Sequence, residues 1–438
     1  MKLRNLMYIQ EKGIRIIGLL TPPFFCRVSD IMSEFIQLCE VNNIENSMVI
    51  LKEKYPLSVF QEFQQRLNKV KDKFFVDDTY KEYIQIDLSQ KVSTLTLNVT
   101  RKCNLKCSYC FEDSEYRKLE DMSFDIAKKA IDTFFTDNST DWVIIFTGGE
   151  PLLNFKLLKQ VAAYINSKEL KVEYRIKTNA TLINNEKTDF LIRNNFKIQI
   201  SLDGNKEAHD THRKFTNGKG SFAIVDKVIK NFIANGYGSL VSLSGTLTNQ
   251  TIQYVDNCYN HLNSYVGIYN YSLKPVMPNS HEGYAFDLKD YRKSYIANLK
   301  HNRYLKEVQS KVFEKITKKE IYNVCGIGIW NITIDVDGKI YPCYRMCGNE
   351  EYVIGSLDSL TLPLNLPQDL KKIYCLEENN EQCSKCYLID ICKTGCYTDK
   401  LMYKCMEQQC FQPTKLVIED LIKKEFIDKK IYLSLDIV

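Results

Sequence analysis

The chain has 438 residues, enough for more than one domain and a large buried core. Its 59 Lys and Arg against 54 Asp and Glu leave a small, dispersed basic excess, which gives no argument for nucleic acid. No apolar run is long enough to span a bilayer, and 16 cysteines clustered at metal-ligand spacings in so long a chain argue against a secreted disulfide scaffold and for a reduced, oxygen-poor cytoplasm.

Residues 1–90 form a block without a ligand cluster. Ile14-Arg15-Ile16-Ile17-Gly18-Leu19-Leu20 is apolar, but its internal Arg and the nearby Glu11-Lys12-Gly13 and Pro22-Pro23 spoil a signal-peptide core. Met7-Tyr8-Ile9-Gln10 and Ile14-Arg15-Ile16-Ile17 flank a Glu-Lys-Gly turn and predict a β-hairpin. Helical spacing then recurs at Ile31, Phe35 and Leu38 after Ser29-Asp30, and at Val59, Phe60, Phe63, Leu67 and Val70 after Ser58. Strands followed by three short helices resemble the winged-helix-like α+β element at the front of many peptide-modifying enzymes, where a leader peptide adds as a strand to the sheet edge. A small structural cap accounts for the same residues as well.

The strand-like run Thr94–Val99 leads into Cys103-Asn104-Leu105-Lys106-Cys107-Ser108-Tyr109-Cys110, three thiols spaced CxxxCxxC. Thiolates suit zinc or iron–sulfur clusters, but tetrahedral zinc wants a fourth nearby Cys or His, and neither follows before His209. A [4Fe–4S] cubane held by three cysteines keeps one iron open to a small molecule. Further on lie Thr147-Gly148-Gly149-Glu150-Pro151, Lys177-Thr178-Asn179-Ala180-Thr181 and Ile200-Ser201-Leu202-Asp203-Gly204 with Arg213 following, each at the end of a predicted strand. Between them Ile126, Ala130, Ile131 and Phe134, then Leu157, Leu158, Val161 and Ile165, mark helix faces. Strands alternating with helices predict a parallel α/β sheet with function at the strands' C-terminal ends.

These motifs in register resemble the radical S-adenosylmethionine (SAM) enzymes. The resemblance implies a partial (β/α)6 TIM-like barrel core over residues 91–310 and a [4Fe–4S] cluster on Cys103, Cys107 and Cys110. It also implies SAM held by Tyr109, Gly148, Gly149, Glu150, Asn179, Ser201 and Arg213. Glu150 either fixes its turn or pairs with the SAM ammonium, and Arg213 pairs with the carboxylate. His209 and His212 are expected to shape the loop, because the cysteines account for the cluster.

Residues 311–438 carry a second cysteine system: Cys325, Gly338 and Cys343, then Cys383, Cys386, Cys392 and Cys396. Taken alone this could be a zinc ribbon. After a radical SAM core it resembles the SPASM extension, which binds two auxiliary [4Fe–4S] clusters. That resemblance implies Cys325, Cys343 and Cys396 at one cluster and Cys383, Cys386 and Cys392 at the other, closed by Cys410, with Cys405 the alternative. Cys347 either completes the first cluster or leaves it open. Cys26, Cys39, Cys258 and Cys375 fit no ligand pattern and read as structural.

Anaerobic sulfatase maturases have a catalytic Asp immediately after the cysteine equivalent to Cys343, where this chain has Tyr344. The stretch Ile340–Met346 followed by Val353–Leu357 instead resembles enzymes that install thioether bridges in ribosomal peptides. The expected activity is therefore a peptide maturase: a 5′-deoxyadenosyl radical takes hydrogen from a leader-bearing precursor peptide and an intramolecular crosslink forms, most simply a Cys thioether. Tyr344 or Arg345 is a candidate for assisting proton transfer, and a flavodoxin or ferredoxin is the expected electron donor. The competing expectations are a maturase of a folded protein, as in sulfatase maturation, and a non-catalytic iron–sulfur or zinc protein.

Overall fold

The structure, a computed structural model, describes residues 2–4, 6–11, 14–20, 23–76, 91–110, 120–136, 141–276, 283–301 and 326–360, with Leu364 and Thr398. The expected ligands Cys325, Cys383, Cys386, Cys392, Cys396, Cys405 and Cys410 lie outside the described residues, as does Cys375.

In the N-terminal block β1 (Lys2–Leu3) pairs with β5 (Phe75–Val76), closing the block's two ends together. Between them β2 (Met7–Glu11), β3 (Ile14–Leu20) and β4 (Pro23–Arg27) form an antiparallel sheet, followed by α1 (Asp30–Val41), α2 (Ile44–Lys54) and α3 (Leu57–Phe74). The expected hairpin is present. The third strand, β4, is not among the expected elements, since Pro22-Pro23 enters the sequence reading only as spoiling a signal-peptide core; Pro23 sits at the first strand position, which a sheet edge tolerates. Ser29 and Asn43 cap α1 and α2 by accepting from Met32 N and Asn46 N. Ser58 does not cap α3, which starts one residue earlier behind Pro56, and this register leaves Val59 exposed while Phe60, Phe63, Leu67 and Val70 are buried. Phe35 and Phe63 meet edge to face at 5.2 Å in a core that belongs to this block alone.

The central unit is a run of βα crossovers: β6 (Thr94–Thr100), α4 (Phe124–Phe134), β7 (Trp142–Gly148), α5 (Phe155–Ser167), β8 (Val172–Thr178), α6 (Asn185–Arg193) and β9 (Lys197–Ser201). It continues through α7 (Lys206–His212), α8 (Phe222–Ala234), β10 (Val241–Leu247), α9 (Val255–Ser264) and β11 (Tyr271–Pro275). Strands β6 to β11 are parallel and adjacent in sequence order, the topology expected of a partial (β/α)6 barrel. Leu95, Leu97, Ile144, Phe146, Ile176, Ile198 and Ile200 are fully buried, as strands covered by helices should be.

After α10 (Leu288–His301) the chain returns to the other flank of β6. There β12 (Asn331–Ile334) pairs parallel with β6, and β13 (Lys339–Tyr341) and β14 (Gly355–Ser356) continue antiparallel, so the C-terminal segment extends the same sheet. No helix among the described residues is long and apolar enough to cross a membrane.

Candidate functional site

All four motif loops emerge at the C-terminal ends of β6, β7, β8 and β9. The loop from Cys103 to Cys110 is laid against residues 212–215: Leu105 bridges Phe215, Lys106 N donates to Lys214 O at 2.7 Å and Ser108 N to His212 O at 3.3 Å. His212 secures the same loop through its side chain, its Nδ1 lying 2.7 Å from Ser108 Oγ and its Nε2 2.9 Å from Thr248 Oγ1. His209 accepts from Asp203 N at Nδ1, so its Nε2–H donates to Ser221 Oγ, which donates in turn to Arg213 O. Both histidines thus spend both ring nitrogens on protein partners, and burial pulls the His209 pKa down to about 4.

The two glycines after β7 make room for backbone. A Cβ on Gly148, whose φ is +137°, would stand 2.2 Å from Thr100 O, and one on Gly149 would stand 2.2 Å from Lys102 O. Gly149 N and Glu150 N donate to those same carbonyls at 2.9 and 2.8 Å, which fixes the chain immediately before Cys103. Glu150 is fully buried; its carboxylate accepts from Leu152 N, from Thr178 Oγ1 at 2.7 Å and from Asn179 N at 2.8 Å. Of its two expected roles the structure shows the turn-fixing one, with Pro151 opening the short helix Pro151–Asn154. Burial raises its pKa to about 7 against the lowering pull of these donors. Asn179 reaches back to Asn104 Oδ1 at 3.0 Å and lies 3.9 Å from Cys103 Sγ, while Ser201 is half-buried at the end of β9.

Around Cys107 the side chains are packed tightly. Tyr109 donates its hydroxyl to Asp203 Oδ2, Arg213 Nε lies 3.0 Å from Asp203 Oδ1, and the Arg213 guanidinium sits 5.5 Å from the Tyr109 ring centre. Asp203, part of the SLDG motif but given no role in the sequence reading, holds this group together; its place just after β9, ten residues before Arg213, was the available signal. Burial pushes the Cys103 and Cys107 thiols up to about 11. None of the three cysteines is in a disulfide. Among the described residues no three His, Cys, Asp or Glu side chains close on one point as a single metal ion requires. A cubane spreads its three ligands wider than the sulfurs around one zinc at about 2.3 Å, and the sulfur-directed donor here, Leu105 N to Cys103 Sγ at 3.4 Å, suits a thiolate bound to such a cluster.

The C-terminal segment closes on the same end of the sheet. Asp335, fully buried in the turn between β12 and β13, accepts from Asn98 Nδ2 at 2.7 Å and from Arg101 at 2.6 Å. Cys343 is half-buried and Cys347 buried on either side of the turn Tyr344–Met346, in which Arg345 is buried. The ring of Tyr344 lies 4.0 Å from Lys177 Nζ on β8, so the residue after Cys343 sits over the strand end that carries the Lys177-Thr178-Asn179 motif.

A parallel sheet in sequential order with a three-cysteine loop docked on its first strand end is a framework for cluster and nucleotide chemistry. Residues 97–262 match the family model of the radical SAM superfamily, and this part of the chain is a radical SAM domain. Beyond it, the chain is 26% identical over 344 residues to a cysteine-type anaerobic sulfatase-maturating enzyme of Clostridium novyi, covering 71% of this chain and 89% of that one. It is 24% identical over 448 residues to the radical SAM cyclopropyl synthase TigE of Paramaledivibacter caminithermalis, covering 89% and 91%. The crystal structure of Streptococcus suis SuiB bound to precursor peptide SuiA superposes with a TM-score of 0.51 at 17% identity, covering 93% and 99%.

Proposed function

We propose that the chain is a radical SAM peptide maturase that abstracts hydrogen from a ribosomally made precursor peptide and forms an intramolecular crosslink, a Cys thioether. The observation that carries this reading is Tyr344: where a sulfatase maturase is expected to have its carboxylate base, this chain has a phenol ring against Lys177. Overall length supports it, since TigE and SuiB each match about nine-tenths of the chain and the Clostridium novyi sulfatase maturase 71%. The N-terminal block is the leader-recognition domain in this reading. Its sheet has β2 and β4 as edges, and a cavity of about 210 Å³ lined by Tyr8, Gln10, Arg15, Ser33, Gln37 and Glu40 lies between sheet and α1.

Cys103, Cys107 and Cys110 would hold the [4Fe–4S] cluster, and Gly148, Gly149, Glu150, Asn179, Ser201 and Arg213 would line the SAM site. When bound, the cluster supplies the electron that cleaves SAM and generates the hydrogen-abstracting radical. The protein's part is positional. Glu150 joins the ends of β7 and β8, the glycines let the cysteine loop lie on β7, and His212 ties that loop to the segment after β10. Cys343, with ligands among the C-terminal cysteines, would hold an auxiliary cluster beside the barrel mouth. Cytoplasmic location and a flavodoxin or ferredoxin donor belong to the same proposal.

The test is anaerobic incubation of reconstituted full-length protein with SAM, reductant and candidate Cys-rich precursor peptides. Loss of two hydrogens from the peptide with its thiol blocked to alkylation supports the reading. The similarity to the Clostridium novyi enzyme favours a second reading, maturation of a sulfatase Cys, and conversion of a sulfatase-derived peptide to formylglycine with no reaction of the precursors would establish that one instead.

A further inference from the structure

From Arg101 to Cys110 and from Arg213 to Gly220 the chain has Arg101, Lys102, Lys106, Arg213, Lys214 and Lys219 and no acidic residue. Three of these cations have a carboxylate: Arg101 lies 2.6 Å from Asp335, Lys102 2.6 Å from Asp121 and Arg213 3.0 Å from Asp203. Lys106, Lys214 and Lys219 have no ion pair among the described residues. Of the acids on α7, Asp210 is taken up by Lys206 at 3.0 Å and by Phe222 N at 2.9 Å, and Glu207 accepts from Asn205 Nδ2 at 2.6 Å. Glu112, Asp113 and Glu115, which follow the cysteine loop, lie outside the described residues. Lys106 and Lys214 are moreover set against each other. Leu105 bridges Phe215 antiparallel and Lys106 N donates to Lys214 O at 2.7 Å, which makes the two lysines cross-strand neighbours, a like-charge placement that costs stability. Lys219 joins them through the next turn of the ribbon, where Lys214 bridges Gly220 and Phe215 N donates to Lys219 O at 2.9 Å. Lys106 and Lys219 are exposed, and so is Cys103 on the same loop.

We propose that Lys106, Lys214 and Lys219 form the docking surface for an acidic one-electron carrier protein, which delivers its electron through the cysteine loop. This rests on the reading of Cys103, Cys107 and Cys110 as cluster ligands. Carboxylates of the carrier supply the counter-charges that the chain itself leaves out, and they steer the carrier's redox centre toward the loop on which Cys103 is exposed. The transfer oxidises the carrier by one electron and reduces the cluster by one, and no bond forms or breaks.

The experiment measures binding of an acidic flavodoxin to the anaerobically reconstituted full-length chain by isothermal titration calorimetry at low and high salt. Lys106→Glu/Lys214→Glu/Lys219→Glu is expected to weaken binding at least about tenfold and to remove most of its salt dependence. Lys106→Arg should bind like wild type. Lys106→Glu alone turns the repulsive pair into an attractive one, so it should raise the melting temperature while weakening binding, a combination that a merely structural role would not give. Should the triple variant fail to fold, Lys106→Glu decides alone. Formation of 5′-deoxyadenosine separates docking from chemistry: cleavage driven by reduced flavodoxin should slow in the variants, whereas cleavage driven by reduced methyl viologen, a small cation, should not. Wild-type flavodoxin binding by the variants, equal slowing with both reductants, or failure of the wild-type chain to bind flavodoxin and an acidic ferredoxin alike overturns the proposal. Absence of iron at the three thiols, or no cleavage by the wild-type chain with methyl viologen, would instead reject the cluster reading and the docking role with it.

Discussion

Arg101, just upstream of Cys103, reaches to within 2.6 Å of Asp335, a fully buried carboxylate in the hairpin that leads to Cys343. One ion pair therefore links the start of the radical SAM cysteine loop to the segment carrying the next candidate cluster ligand. Asp337 and Glu120 stand farther off, at 3.6 and 3.9 Å from the same guanidinium.

Removing Asp335 leaves Arg101 buried without its nearest counter-charge and deprives Asn98 of its acceptor. Asp335→Ala should cost about 3–5 kcal/mol, the range for breaking a buried pair. Asp335→Asn, which keeps one acceptor oxygen, should cost less. Urea unfolding midpoints of the two variants against wild type check the order.

Stability should depend on pH through His209. Its folded pKa is lowered from 6.5 to about 4, chiefly by burial, so the unfolded chain takes up the proton first as pH falls. The contribution is intact above pH 6.5, is lost progressively between 6.5 and about 4, and amounts to about 3 kcal/mol in all. Protonation would set Nδ1–H against the Asp203 N–H that it now accepts from. His209→Gln should flatten this limb in denaturant titrations across that range.

Gly149→Ala should displace the chain before Cys103, because the new methyl meets Lys102 O at 2.2 Å and Cys103 N at 3.1 Å, both backbone. A loss of about 1–3 kcal/mol is expected for overpacking of this kind. Iron uptake by the variant, measured beside its melting temperature, should fall with it.

Glu150→Gln should also destabilise, by about 1–3 kcal/mol. The carboxylate accepts from three donors, and an amide NH2 in place of either oxygen must face one of them. Thermal unfolding of Glu150→Gln beside Glu150→Asp reads the effect, and the Asp variant should recover part of it.

Metal analysis checks the cluster count. Reconstituted protein should bind about twelve irons, falling to about eight in the Cys103→Ala/Cys107→Ala/Cys110→Ala variant with SAM cleavage abolished, if one reactive and two auxiliary cubanes are present.

Local order was legible in the sequence where chemistry is local. The CxxxCxxC loop, the glycine turn after β7 and the apolar faces of α4 and α5 depend on residues within a few positions of each other, so spacing and periodicity reveal them. The six parallel strands follow from the same alternation. The third N-terminal strand was missed because prolines mark breaks and strand starts alike, and the start of α3 was misplaced because Pro56 takes the cap position that Ser58 was expected to fill.

What only the tertiary structure decided are the partners. Asp335 with Arg101 and Asn98, and the glycines with the carbonyls of Thr100 and Lys102, are brought together by adjacent strands, whereas Asp203 with Tyr109 and Lys177 with Tyr344 meet across strands that are not neighbours. A sequence by itself determines which groups are present and which local turns they favour. Which buried charge meets which counter-charge depends on strand order and register across more than two hundred residues in the Arg101–Asp335 pair, because a desolvated ion is stable only where folding delivers its counter-ion.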